Sequence, residues 1–280
     1  MISDPQKTLM GIHQTELEIL DEIDRVCRQY GLRYSLAYGT LIGAVRHKGF
    51  IPWDDDVDVM MPREDYEQFV HIWSSVAKEG FLLQDDTMYP DYPNNYAKIR
   101  KNHTTFLQFE AERTRSYQTG IYVDVFPGDR VAPAGIHRRI QYVFFAFNLL
   151  FNRGYPSGAG GLTGFVEKAL LALLPKGWHS SLSLSAGRFS RRWNDDTSRE
   201  FVFPSTIGAC KRYYPSDLFD NLKAIFFEGK EYAAVRDTDN TLRIEYGDYM
   251  QLPPEVERVW KHHPIIVDFT HNYEELELEK

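Results

Sequence analysis

Cysteine is scarce, with Cys27 and Cys210 the two in 280 residues. Two thiols cannot build a disulfide scaffold or a four-cysteine zinc site, and a chain of this kind suits a reducing compartment such as the cytoplasm. Long apolar runs are missing too. The longest, Ile140–Phe151, spans 12 residues and is already broken by Gln141 and Asn148, whereas a membrane-crossing helix takes about 20. Met1–Gln14 has no basic start followed by an apolar stretch, so no secretory leader is expected. Nor is there a surplus of positive charge. Lys and Arg number 32 against 40 Asp and Glu, a net −8, which argues against a general nucleic-acid surface and leaves room only for a local basic pocket.

What the chain does have is enough apolar sequence for a core: 43% hydrophobic residues, balanced by 26% charged. Residues 12–30 carry Ile12, Leu17, Leu20, Ile23 and Val26 near a 3.6 period and predict a helix stopped by Gly31. A strand over Leu32–Tyr38 ends at Gly39-Thr40, a short helix runs to Val45, and a basic loop, Arg46–Gly49, follows. Val57–Met61 reads as a second strand, Pro62 as the first turn of a helix, and 80–84, 96–100 and 121–126 as further strands. The character then changes. His137–Asn152, Leu162–Leu174 and Ser180–Trp193 predict helices, with Gly154–Gly161 a flexible segment between the first two. Phe226–Ala234 reads as a hairpin around Glu228-Gly229, Asp237–Tyr246 as a helix, and the acidic tail 274–280 as a solvated end.

Chemistry concentrates in Ile51-Pro-Trp-Asp54-Asp55-Asp56-Val57-Asp58-Val59. Side chains alternate along a strand, so Asp56 and Asp58 are expected on one face, where two carboxylates repel unless a cation lies between them. Oxygen ligands favour a hard ion, Mg2+ or Mn2+. Asp124, an acid among strand-forming apolar residues in Tyr122–Phe126, is suited in type to complete the site. A solvated acidic turn is the bland alternative, but Asp58 between Val57 and Val59 would be costly to bury unpaired. Gly39-Thr40 can let backbone N–H groups approach a phosphate, and Arg46, His47, Lys48, Lys98 and Arg100 are candidate phosphate contacts. Each is weak alone; with the acids they suggest metal-assisted phosphoryl transfer. No histidine pair has zinc spacing, and His262-His263 read as surface or loop residues.

The 22 residues from Tyr38 to Val59, YGTLIGAVRHKGFIPWDDDVDV, closely resemble the signature of the LicD family, which includes bacterial phosphocholine transferases and is related to fukutin and fukutin-related protein. Tyr96-Ala-Lys-Ile-Arg100, Gly120–Pro127 with Asp129, and Tyr246–Pro254 match in the same order. The resemblance implies an α/β (α+β) fold with a nucleotidyltransferase-like mixed sheet flanked by helices. The catalytic core would lie in 1–130, a mainly helical acceptor-side insertion in 131–225, and a hairpin and helix completing the core in 226–280. It implies Gly39 and Thr40 at the phosphate, Asp56 and Asp58 as paired metal ligands, Asp124 as third ligand or proton acceptor, and Asp54 and Asp55 supporting them. The basic loop Arg46–Gly49 and Trp53 read as an insertion peculiar to this branch. The implied reaction moves phosphocholine from CDP-choline to a sugar hydroxyl of teichoic acid, lipopolysaccharide or a related surface polymer, releasing CMP. Other phospho-alcohols such as ribitol phosphate, or a non-catalytic binding role, are the alternatives. A quaternary ammonium needs aromatic faces, and Trp53 is the candidate among the aromatics near the motifs. A cytoplasmic location is expected, with the inner face of the membrane as an option should the acceptor be lipid-linked. The apolar helices at 137–152 and 162–174 could touch a bilayer there, although core packing is their simpler reading.

Overall fold

The computed structural model describes residues 4–89, 91–158 and 160–278. Positions 1–3, 90, 159 and 279–280, which belong to the expected N-terminus, two loops and the acidic tail, lie outside the described residues.

In chain order, α1 (Pro5–Tyr30) leads to β1 (Ser35–Leu36), α2 (Tyr38–Arg46), β2 (Asp58–Pro62), α3 (Arg63–Val76), β3 (Phe81–Gln84), β4 (Ala97–Lys101), β5 (Thr105–Leu107) and β6 (Tyr122–Arg130). Then come α4 (Ile136–Arg153), α5 (Gly161–Leu173), α6 (His179–Ser190), β7 (Phe201–Val202), β8 (Lys223–Phe227), β9 (Lys230–Ala234), α7 (Thr238–Tyr246), β10 (Ile266–Asp268) and α8 (Tyr273–Leu278). This is the expected mixed α/β chain, and it forms two compact units.

The first unit comprises residues 1–84, 98–126 and 218–280. Its sheet runs β1-β2-β6-β4-β3, with the outer pairs β1/β2 and β3/β4 antiparallel. α1 begins seven residues earlier than its apolar period suggests, because Asp4 caps it by accepting from the Lys7 N–H (3.1 Å) and Pro5 occupies the first turn. Gly31 ends it in the left-handed region (φ 68°), its N–H returning to the Cys27 carbonyl. Ile12, Ile19, Leu20, Ile23 and Val26 are fully buried on one face. β1 is shorter than expected, two residues instead of seven. α2 already starts at Tyr38, so Gly39 and Thr40 lie in the first turn of a helix. β5 and β10, which pair with each other, and the two-residue β7 are too short to show a period in the sequence. Residues 273–278 form α8, whose Tyr273 is buried and accepts from Arg113, while Glu274, the first residue of the expected solvated tail, is exposed.

The second unit comprises 85–97 and 127–217. Here the end of β6 pairs with β7 through Asp129↔Val202 and Arg130↔Phe201. α4 lies against α6, with Phe144 stacked on Phe189 at 3.9 Å between ring centroids. The two polar residues that interrupt α4's apolar run hold its neighbours in place. The Gln141 side chain accepts from Ala132 N–H and donates to the carbonyls of Arg130 and Ser190, while Asn148 bonds Ser183 and Asn95. Buried amides satisfied in this way fix the helix register instead of destabilising the core.

Candidate active site

Two neighbouring strands, β2 and β6, present Asp58 and Asp124, and β4 beside them brings a lysine. Asp58 opens β2, and its N–H donates to Thr40 Oγ1 on α2 (2.8 Å). Asp124 stands on β6, whose N–H at that residue donates to the Val57 carbonyl (3.0 Å). Lys98 on β4 reaches Asp124 with its ammonium (2.6 Å), both side chains being buried. Asp56 is not in the strand as expected but in the extended lead-in before it. It nevertheless lies within electrostatic reach of Asp58 and Asp124. Asp54 closes a short turn, with its N–H on the Ile51 carbonyl (2.9 Å) and its own carbonyl 2.7 Å from His13 Nε2.

These carboxylates are out of balance with the cations around them. Burial, then the charges of Asp56 and Asp55, pushes the Asp54 carboxyl up to about 7. Burial likewise raises Asp56 to about 6, with His262 opposing and Asp124 adding to the rise. Asp58 is raised well above the carboxylate range by burial and by Asp56 and Asp124. Glu16, on the buried face of α1, is raised for the same reasons, and its Oε2 has no hydrogen-bond partner among the described residues. Burial lowers the Lys98 ammonium, and Asp124 holds it up. Buried oxygens with so little positive charge nearby must gain protons or a cation. Oxygen ligands of this type suit a hard divalent ion such as Mg2+ or Mn2+ in their chemistry, while Asp58 and Asp124 are not in the group of described residues whose ligand atoms already lie within 4.8 Å of one another.

Asp55 has a different task. Fully buried, it accepts from the backbone N–H groups of Lys261 (3.1 Å) and His262 (3.2 Å) and meets His262 Nδ1 at 3.1 Å. His262 Nε2 is 3.8 Å from Asp56, so Asp55, Asp56 and His262 each bring a potential ligand atom within 4.8 Å of the others. Burial would lower the imidazole pKa, but the Asp55 bond and the Asp56 charge outweigh it and raise it. The residue read as a plain loop histidine thus clasps the C-terminal segment to the acidic run.

Asp54, Asp56 and Asp58 wall, with Gly39, Arg46 and Trp53, one side of a cleft of about 530 Å³, whereas Asp55, Asp124, Lys98 and His262 do not line it. Tyr246, Asp248, Tyr249, Pro253, Pro254 and Lys261 line the other side. Gly39 is a tight fit: a Cβ there would lie 2.5 Å from Asp54 Oδ2. Arg46 donates to the Tyr249 carbonyl (2.9 Å). The hairpin tip holds the basic loop from behind, Glu228 accepting from Phe50 N–H and donating its own N–H to the Lys48 carbonyl. A second, largely apolar cleft of about 630 Å³ shares Trp53 and adds Leu9, Val259 and Trp260.

Not every expected residue reaches the cleft. His47 and Lys48 are exposed, His47 bonded to Arg46 and Lys48 to the Val45 carbonyl, and neither lines it. Lys98 and Arg100 are buried and engaged within the sheet instead of lining it. Arg100 donates to Gln84 and to the Gly120 carbonyl, and both cations lie over the Tyr122 ring, Lys98 at 3.3 Å. Trp53 does line the cleft, with the Arg258 guanidinium 5.5 Å from its ring. Sequence reasoning assigned no role to Glu16, His262, Lys261, Tyr246 or Tyr249. Glu16 had a signal, a carboxylate four residues after Ile12 on an apolar stripe. The two tyrosines sat in the 246–254 motif.

Residues 31–141 match the family model of the LicD/FKTN/FKRP nucleotidyltransferase domain. The chain is 30% identical over 245 residues to the lipopolysaccharide cholinephosphotransferase LicD of Haemophilus influenzae, covering 85% of this chain and 90% of that protein. An uncharacterized protein of Rickettsia typhi is 31% identical over 84 residues, 30% of this chain and 26% of its own. One of Rickettsia prowazekii is 29% identical over 72 residues, 26% of this chain and 27% of its own. The matched block holds every acid from Asp54 to Asp58 together with Asp124. With its motifs, its mixed sheet and a full-length relative in agreement, the chain belongs to the LicD family and is a LicD-type transferase.

Proposed function

We propose that this chain transfers phosphocholine from CDP-choline to a sugar hydroxyl of a lipopolysaccharide-type glycan and releases CMP. The observation that carries the reading is the cleft in which Asp54, Asp56 and Asp58 face Lys261 and the Tyr246–Pro254 segment. Support for choline comes from the full-length relative, which is named a lipopolysaccharide cholinephosphotransferase.

In the reaction the acceptor oxygen forms a bond to the phosphorus bearing choline. The bond from that phosphorus to the bridging oxygen breaks, and CMP leaves with the electron pair. The acceptor's proton passes to a carboxylate of the 54–58 run. Asp56 and Asp58 would hold the divalent ion, with Asp124 as the candidate third oxygen ligand. When bound, the ion neutralises charge on the diphosphate. Lys98 orients Asp124 through its hydrogen bond and does not line the cleft. Gly39, at the start of α2, lets the donor come close to backbone amides beside Asp54. Arg46 and Lys261 are the cations that line the cleft for the phosphates. Trp53, Tyr246 and Tyr249 offer aromatic faces to the trimethylammonium group. A nucleotide donor of this kind calls for a cytoplasmic site of action.

The test is CMP release from CDP-choline in the presence of lipopolysaccharide, run beside CDP-ribitol. Consumption of CDP-choline with label appearing on the glycan supports the reading. Consumption of CDP-ribitol alone replaces the donor.

A further inference from the structure

α5 is built inside out. Its buried residues are Gly164 and Glu167, and Glu167 turns inward to accept from the N–H and hydroxyl of Ser157 (2.7 and 2.8 Å) with Arg153 3.7 Å away. The opposite stripe, spaced i, i+3, i+4, i+7, i+11, is Leu162, Phe165, Val166, Ala169 and Leu173. Leu162 is 78% exposed, Phe165 69% and Leu173 81%. A helix of a water-facing surface does the reverse. Trp178, in the turn that follows, is 60% exposed beside Lys176.

In the chain segment that contains this helix, charge is almost wholly of one sign. From Ile136 to Arg192 there are eight Lys and Arg and one acid, the inward-facing Glu167, in a chain whose net charge is −8. Arg139, Lys168, Lys176, Arg188 and Arg192 are exposed. Apolar residues with an aromatic at the edge and basic flanks match the headgroup region of an anionic bilayer. A protein partner would ordinarily meet a rim of mixed polarity. Thirteen residues span about 20 Å, short of the roughly 30 Å hydrocarbon core. Among the described residues no helix is long and apolar enough to cross a membrane.

We propose that α5 and the Trp178 turn dock this unit on the surface of an anionic lipid bilayer, the helix lying in the interface without crossing it. This stands on the second unit's own surface, independently of which alcohol the enzyme transfers. It gives a transferase acting on a glycan with a lipid anchor a reason to be at the membrane.

Flotation of the full chain tests it, with vesicles of phosphatidylethanolamine alone or mixed with phosphatidylglycerol. The protein should rise with the mixed vesicles and not with the neutral ones. Leu162→Gln combined with Phe165→Gln should cut the bound fraction about tenfold or more, with melting temperature and CMP release unchanged. As a second readout on the unaltered stripe, brominated acyl chains should quench a component of fluorescence that Trp178→Phe removes. Protein that stays at the bottom with both vesicle types overturns the proposal, as does equal flotation of the double variant. So does a dimer in solution that the double variant dissociates, since a second copy would then cover the stripe.

Discussion

Replacing Gly39 with alanine should separate catalysis from stability. Gly39 lies in the first turn of α2 and is not among the glycines with positive φ, so alanine is compatible with the backbone. By propensity alone a helical Gly→Ala change is worth up to about 1 kcal/mol of added stability. The new methyl would lie 2.5 Å from Asp54 Oδ2, where ordinary contact begins at 3.4 Å, so that carboxylate must retreat by about 0.9 Å. Asp54 is 8% exposed, and the acids beside it leave no easy direction in which to move. Misplacement on the scale of 1 Å costs about 10²-fold in rate. We therefore expect Gly39→Ala to melt within a few degrees of the wild type while CMP release falls about 10²-fold. Parallel thermal melts and a nucleotide-release assay at saturating donor would measure both. Full activity at an unchanged melting temperature would refute the close approach of α2 to Asp54 and the role given to it.

Three further outcomes follow from the electrostatics and hydrogen bonds of the cleft. Asp54 near 7, Asp56 near 6 and the raised Asp58, Glu16 and His262 all bind protons more tightly in the folded state, so stability is lost as pH rises through those values. In chelator the melting temperature should be higher at pH 5.5 than at pH 7.5, with Mg2+ recovering part of the difference; an equal or higher value at pH 7.5 would contradict the excess of buried negative charge. Lys98→Met leaves Asp124 buried without its cation and should cost about 3–5 kcal/mol in urea unfolding, with Asp124→Asn in the same chain restoring part of it. Asp55→Ala removes the acceptor for the Lys261 and His262 N–H groups and should cost about 1–3 kcal/mol; no loss in urea unfolding would mean that the clasp contributes nothing.

The sequence speaks clearly where a local rule and a tertiary role coincide. α3 after Pro62 and α4 around Phe145 and Phe151 carry their own periodicity, and the structure keeps them within a residue or so. The 54–58 acids were legible because a carboxylate set between valines is costly to bury unless it gains a proton or a cation. The cations misled. Lys98 and Arg100 alternate onto one face as a phosphate grip would, yet that face turns into the sheet, where Asp124, Gln84 and Tyr122 take them. His262 was unreadable for the opposite reason: its partner Asp55 lies 207 residues earlier, and no spacing rule reaches that far. Glu16 was legible and passed over, since a lone carboxylate on an apolar helix face usually lies at an edge. The two-residue β7 depends on its neighbour for pairing and leaves no local trace.

On the proposed reading, the carboxylates of this cleft carry a metal-assisted phosphoryl transfer. The direct measurement is CMP release from CDP-choline, with and without Mg2+ or Mn2+, by wild type and by Asp58→Asn. The amide keeps the size of the side chain and relieves a buried charge, so the variant should fold at least as well in the absence of metal. Wild-type release should require the ion, and Asp58→Asn should lower it by about 10³-fold while melting no earlier. Release that is indifferent to chelator, or a folded Asp58→Asn protein with wild-type turnover, would contradict the account.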